Sequence, residues 1–468
     1  MLYLNVRDRQ PLYEQLYENI KEDIVSGRLQ KNTVLKSLRV MGKELNVSRN
    51  TVDRAYQQLI GEGYIYSVQG AGYFVEDIGN DCFCDPYPYK RTTEVLDLAK
   101  KLKPRYDFEY TSIDASLFPW PRWKRATQNA LLTESNYSVL AYESNKGNLK
   151  LRKSLCGYLY RHRGVQCKPE QIIVTSGTQF AMGIVADLFP PRQNSVAYEE
   201  PGYDAMRHLL IAKGYEISPI PVLENGVDIN ALNKTDCTLL YITPSHQFPT
   251  GIVTSINTRY KLLKWAYENN NFIIENDYDS EFRYGLMPIP SMQSLSWNQN
   301  IIYIGTLSKI MSPSIRCAYL VLPEKLADAY DEKYKYFNSA LPSYHQMAIA
   351  EFIDEGLLEK HLRKISKINE KKYFVLTETI KEFLADEVEF FQSPAGVHTL
   401  VRIKRCKDQD KLIQDMRAAS VGIYGIKEHF YDQKNAREDI FLMGFNSMTE
   451  KDIREGCSRI AGVLNKMN

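Results

Sequence analysis

From Tyr106 onward, short β-rich runs alternate with helical stretches, and that rhythm leaves few folds open. The runs are QIIVT (171–175), TLLYI (238–242), NFIIE (271–275), IIYIG (301–305) and AYLVL (318–322). Each is five residues long, mostly apolar, and set apart from the others along an alternating pattern of helical stretches. Runs buried on both faces and joined through helices predict a mainly parallel α/β sheet. The 468-residue chain is longer than one ordinary domain. At 44% hydrophobic it can fill a large core.

The first stretch is different. Leu12, Leu16, Ile20 and Ile24 recur at helical spacing and Gly27 stops that helix. The segment LKSLRVMGKELNVSRNTVDRAYQQLIGEGYIYSVQGAGYFV (35–75) then predicts a helix from Leu38 to Leu45 and a turn at Asn46-Val47. A second helix follows, capped by Ser48, with Val52, Ala55, Tyr56 and Leu59 on its buried side. Its other side presents Arg49, Asn50, Asp53 and Arg54. Gly61-Glu62-Gly63 ends it, and two strands joined at Gln69-Gly70-Ala71-Gly72 make a wing. Early residues of such a second helix enter a major groove, where Arg pairs with guanine and Asn with adenine.

The net charge of +2 says nothing about nucleic acid. Locally, Arg28, Lys31, Lys36, Arg39, Lys43, Arg49 and Arg54 stand against only Glu44 and Asp53. A phosphate backbone rewards such an excess, although a solvated basic face has the same composition. Residues 79–105 are polar, hold two prolines in DPYPY and have no clean period, so they read as a linker. The expected domains are therefore 1–78, a winged helix-turn-helix, and 106–468, the α/β domain.

Eight cysteines lack metal spacing; Cys82 and Cys84 form C-x-C, expected as free thiols in the linker. The seven histidines show no ligand spacing either, so no metal is expected. His246, in PSHQFPTG, lies near the expected pocket, as a contact or as a satisfied loop histidine. No apolar run approaches membrane-spanning length and Met1–Gln10 lacks a signal-peptide core. A cytoplasmic protein without membrane partner is the expectation.

Four pieces of the long domain point to one pocket. Ser176-Gly177-Thr178-Gln179 joins a strand to a helix, whose first N–H groups suit a phosphate. EEPGY (199–203) places Tyr203 on a loop where it can stack on a planar ring. IIENDYDSEFRY (273–284) ends a very apolar strand in a polar cluster. IIYIGTLSK ends another in Thr306, Ser308 and Lys309, with Arg316 seven residues on. A lysine leaving a buried strand has its pKa lowered and attacks carbonyls as a free amine, while hydroxyls and an arginine hold a phosphate dianion.

These pieces, in this order, resemble the fold-type I aminotransferases, and 35–75 resembles the winged helix-turn-helix of GntR-type regulators. Nearly the whole chain is similar to the MocR subfamily of GntR regulators, through SLFPWPRW (116–123), YESNKGNLKLRKSL (142–155), TPSHQFPTG (243–251) and GTLSKIMSPSIR (305–316). The resemblance implies a large domain of transferase fold with a smaller C-terminal α+β part. Lys309 would form the internal aldimine with pyridoxal 5'-phosphate. Gly177, Thr178, Ser308 and Arg316 would bind its phosphate, with Gln179 and Thr306 beside them. Tyr203 would stack on the ring and Tyr278 would reach the ring oxygen. On the DNA side the family pattern falls on Arg39, Ser48, Arg49, Thr51 and Gly70.

Three departures stand out. Lys36 replaces a usual proline and Val40-Met41 a usual acidic–apolar pair, which weakens the helix start rather than the readout. Phe248 stands where catalytic relatives have Asn. Glu275-Asn276-Asp277-Tyr278 stands where the family reads Glu-Asp-Asp-Tyr. Side chains alternate along a strand, so if Tyr278 faces the cofactor Asn276 does too; if the strand has ended, Asp277 turns inward instead. The function implied is a homodimeric regulator binding a double-stranded DNA operator and responding to an amino compound or to pyridoxal phosphate. A working aminotransferase with an accessory DNA-binding domain, or a pocket retained only for dimerisation, are the alternatives.

Overall fold

The computed structural model describes residue 4 and residues 10–78, 103–132, 141–285, 289–295, 300–391 and 395–466. The chain divides into two compact units, Met1–Asp97 and Leu98–Asn468. Residues 79–102, the greater part of the expected linker with Cys82 and Cys84, lie outside the described residues.

In the N-terminal unit, α1 (Leu12–Val25) buries Leu16, Ile20 and Ile24, and Gly27 leaves it at φ +75°. Helix α2 (Leu38–Leu45) keeps a side-chain cap despite Lys36: the Ser37 side chain accepts from Val40 N at 3.4 Å, and Lys36 instead pairs with Glu44 at 2.5 Å. Asn46 makes the turn in the left-handed region at φ 53°, which Asn tolerates better than most residues. Ser48 caps α3 (Arg49–Gly61) by accepting from Thr51 N at 3.1 Å. Val52, Ala55, Tyr56 and Leu59 of α3 are fully buried against α1 and against Ile65 and Val75. The wing strands β2 (Ile65–Val68) and β3 (Gly72–Val75) pair antiparallel. A two-residue strand too short to leave a pattern, β1 (Val34–Leu35), adds itself to β3.

The large unit is built on an eight-stranded sheet of order β5-β12-β11-β10-β9-β6-β7-β8. Its strands are β5 (Ile172–Thr175), β6 (Val196–Glu200), β7 (Ile217–Leu223), β8 (Gly226–Val227), β9 (Leu239–Ile242), β10 (Phe272–Asp277), β11 (Ile301–Thr306) and β12 (Ala318–Val321); the short β4 (Tyr106–Asp107) lies outside this sheet. Strands β7, β6, β9, β10 and β11 run parallel, whereas β12 is antiparallel to both β11 and β5. Period-two alternation feeds two cores. Tyr198, Tyr241, Ile274 and Ile302 pack against Met182 and Val185 of helix Thr178–Leu188. Ala197, Leu240, Ile273 and Ile301 pack against Leu262, Leu263 and Ala266 of helix Ile256–Glu268. Each buried Ile, Leu, Val or Met among these contributes about 1.5–3 kcal/mol.

The smaller C-terminal part is an antiparallel sheet of β13 (Val388–Phe391), β14 (His398–Ile403), β17 (Ile440–Gly444) and β16 (Tyr424–Gly425), covered by helices Leu357–Leu384 and Glu450–Leu464. Its β15 (Val421–Gly422) pairs with β4, which ties the start of the unit to its end. The arrangement leaves a cleft outside the carboxyl ends of β5, β10 and β11, where open α/β sheets hold ligands.

Candidate functional site

The cleft has a volume of about 210 Å³. Of the eleven cofactor residues expected from sequence, nine line it: Gly177, Thr178, Tyr203, Asn276, Tyr278, Thr306, Ser308, Lys309 and Arg316. Tyr110, Thr111, Thr243, Phe248 and Pro313 complete the wall. Lys309 follows β11 and is half-buried at the cleft. Burial lowers its pKa to about 8, against the opposing pull of the Asp279 and Glu109 carboxylates. Its Nζ donates to the Tyr110 carbonyl at 2.8 Å. Roughly one-tenth of such an amine is neutral at pH 7 and about half at pH 8. The rate at which apo-protein captures an aldehyde should therefore rise about fivefold between those pH values and level off above; stopped-flow absorbance checks this.

Beside the lysine is an anion cradle. Gly177, at φ +100°, caps helix Thr178–Leu188 and turns its first N–H groups to the cleft. Arg316 sits in the left-handed region at φ 52° and closes over Gly177; a Cβ there would collide with its Nη2. Ser308 is held by Thr306, whose Oγ1 donates to Ser308 Oγ at 3.0 Å. Gly177→Ala is expected to expel the guanidinium and to weaken retention of a phosphorylated ligand at least tenfold, about 1.4 kcal/mol, as measured by equilibrium dialysis.

Two expected residues do not line the cleft. Gln179 lies one residue into the helix and its side chain is exposed to solvent. Asp277 points to the opposite face of β10, where Arg163 Nε donates to it at 2.6 Å and Tyr303 OH at 2.6 Å. The strand continues through Asp277, so the alternation puts Asn276, not Asp277, on the cleft side. Asn276 Nδ2 donates to Tyr241 OH at 2.7 Å, and its Oδ1 is buried without a partner among the described residues. Tyr241 is held in turn by parallel stacking on Tyr198, with centroids 4.7 Å apart. Arg163 and Asp277 have side chains only 1% and 3% exposed. Arg163→Met leaves an unpaired buried carboxylate and should cost about 3–5 kcal/mol in denaturant unfolding.

Histidines without sequence spacing converge behind Tyr278. His246 Nδ1 lies 2.9 Å from Asp279 and 3.2 Å from Tyr278 OH. His398 stands beside them, and one ligand atom from each of His246, Asp279 and His398 falls within 4.8 Å of the others. Burial holds His398 well below its ordinary pKa, hence neutral, and both its ring nitrogens lack partners among the described residues. His246, Asp279 and His398 come from three distant segments, so no local spacing announced them.

In the N-terminal unit, Arg39, Ser48, Arg49, Asn50, Arg54 and Gly70 are exposed and Thr51 is half-buried beside them. Among the described residues, Arg28, Lys31 and Lys36 are spent in ion pairs, whereas Arg39, Lys43 and Arg49 form none. Arg54 lies over the Tyr13 ring at 3.9 Å, and Ser48 serves as helix cap. The unpaired positive charge is thus concentrated on α2 and the start of α3.

A phosphate cradle, a tyrosine ring lining the cleft and a half-buried amine of lowered pKa fit pyridoxal phosphate. The partnerless Asn276 oxygen and the tight Gly177–Arg316 approach are the observations that carry this fit. Together the two units make a DNA-binding transcription regulator with a pyridoxal-phosphate domain of aminotransferase fold. Comparison with known proteins agrees. Residues 109–460 match aminotransferase class I and II, and residues 12–75 match the bacterial regulatory proteins of the gntR family. An uncharacterised HTH-type transcriptional regulator of Bacillus subtilis, YdeL, is 36% identical over 96% of both chains. The probable rhizopine catabolism regulatory protein MocR of Rhizobium meliloti is 29% identical, covering 98% of this chain and 95% of its own. A Pyrococcus horikoshii kynurenine aminotransferase structure overlays with a TM-score of 0.71 at 22% identity, covering 81% of this chain and 95% of its own. The chain belongs to the MocR-like, aminotransferase-fused regulators of the gntR family.

Proposed function

We propose that the pocket senses an amino compound, or the cofactor itself, and passes the result to DNA affinity. Pyridoxal phosphate supplies an aldehyde that condenses reversibly with amines. In this reading Lys309 is the resident amine, Gly177, Thr178, Ser308 and Arg316 hold the phosphate, Tyr203 covers the ring and Tyr278 meets the ring oxygen. The carrying observation is the amide of Asn276 on the cleft side, with the nearest strand carboxylate committed to Arg163. An amide hydrogen-bonds a ring nitrogen but does not keep it protonated as a carboxylate does. The ring is then a poor electron sink for carbanion chemistry, while exchange of one amine for another needs no such sink.

A ligand changes DNA affinity only through unequal binding to two states of the protein. Such a regulator works as a homodimer reading paired half-sites of an operator. Arg39, Ser48, Arg49, Asn50, Thr51, Arg54 and Gly70 are the proposed contacts. The test is operator affinity with and without cofactor across a panel of amino compounds. A ligand-dependent change supports the reading. An unchanged affinity together with rapid keto-acid formation favours the aminotransferase instead. Asn276→Asp should raise keto-acid formation in single turnovers, read as pyridoxamine accumulation.

A further inference from the structure

The cleft has two unlike walls. The cradle side is polar. Much of the remaining lining is aromatic: the rings of Tyr110, Tyr203 and Phe248, with the Phe248 centroid 5.2 and 5.5 Å from those of Tyr110 and Tyr203. Leu400, Ile426, Phe430 and Leu442 are packed behind Phe248. Among the described residues, the only cations lining the cleft are Lys309 and Arg316.

The cations nearby are already engaged. Arg163 is paired with Asp277, and Arg207 donates to the carbonyls of Glu428 and His429. Arg259 donates to three carbonyls, those of Thr254, Pro244 and Pro290. His398, behind the aromatic wall, is neutral. The carboxylates around this side are Asp279 and Glu109, which act on Lys309, and Asp204, Glu109 and Glu428, which act on Tyr110; Lys103 reaches Glu109 at 3.6 Å, and His246 and His429 stand against Asp279 and Asp204.

We infer that the ligand sensed here is a primary amine with an apolar or aromatic substituent and no carboxylate. The inference rests on the regulator reading, in which Arg316 is occupied by the cofactor phosphate. An arriving ammonium is drawn by the surrounding carboxylates and its substituent meets aromatic rings. A carboxylate on the same ligand would lose its water with no cation to replace it. In the exchange, a C–N bond to the ligand forms as the bond to Lys309 Nζ breaks. The proton brought by the ligand's ammonium leaves on the lysine, and nothing is oxidised or reduced.

The experiment uses full-length protein loaded with pyridoxal phosphate and two matched pairs, phenethylamine against phenylalanine and isoamylamine against leucine. Cofactor absorbance and melting temperature are followed together. Each amine should reach half-saturation at a concentration at least about tenfold below that of its amino acid. An amino acid that saturates at an equal or lower concentration overturns the inference and leaves the regulator reading standing. If neither member of a pair acts while borohydride still fixes the cofactor on Lys309, the inference is also overturned. If borohydride fails to fix the cofactor there, the regulator reading itself has failed.

Discussion

Lys309→Ala is expected to abolish covalent retention of pyridoxal phosphate and, with it, any effect of amino compounds on DNA affinity. Borohydride reduction followed by peptide mass analysis should find the cofactor on Lys309 in the parent and on no residue in the variant. The fold should survive, because the amine is bonded to one carbonyl only, that of Tyr110. The same residue gives the apo-protein a pH signature. Its folded pKa of about 8 lies below the ordinary lysine value of 10.5. Between those limits the unfolded chain binds the proton and the folded chain does not, so stability rises with pH across that window. The gain is about 3 kcal/mol at most. Lys309→Ala should lack that rise, and denaturant midpoints at pH 8 and 10 compare the two proteins. Equal slopes in both would remove the buried-amine assignment.

Arg49→Ala should weaken operator binding by roughly 10- to 100-fold, as a lost bidentate base contact does, with the melting temperature of the protein unchanged. Arg49 is exposed at the start of α3 and makes no ion pair among the described residues, so nothing in the folded unit depends on it. A base contact would relax sequence preference at one operator position. A phosphate contact would instead lower the salt slope by about one for every sequence. Fluorescence anisotropy over a salt series separates the two, and unchanged affinity in both would take α3 out of the groove.

What the sequence made legible was whatever repeats along the chain. The strands β5, β9, β10, β11 and β12 fall on the five apolar runs, and α2, α3 and the wing fall on the helix-turn-helix pattern. Direction was not legible: AYLVL is equally apolar whichever way it runs, and β12 runs against its neighbours. Nor were long-range partners. The alternation rule offered Asn276 or Asp277 to the ring. What fixes the geometry is Arg163, 114 residues away, which holds Asp277 on the far side. His246 was placed near the pocket by its motif, but its convergence with Asp279 and His398 was invisible for the same reason, since that proximity is made by the fold and not by spacing.

The reversed strand has a structural consequence of its own. Its parallel neighbour β11 offers the cleft its outgoing chain, Ser308 and Lys309, and β5, on the other flank, offers Gly177 and Thr178. Because β12 starts at that rim rather than finishing there, it supplies an incoming chain in the gap between them, and Arg316 is two residues before its first position. Neighbouring strands lie about 4.8 Å apart, so the guanidinium is brought to within reach of both flanks. Lengthening the connection Leu307–Cys317 would therefore detach lysine and arginine from each other at once, which makes that stretch far less tolerant of added residues than an ordinary surface turn.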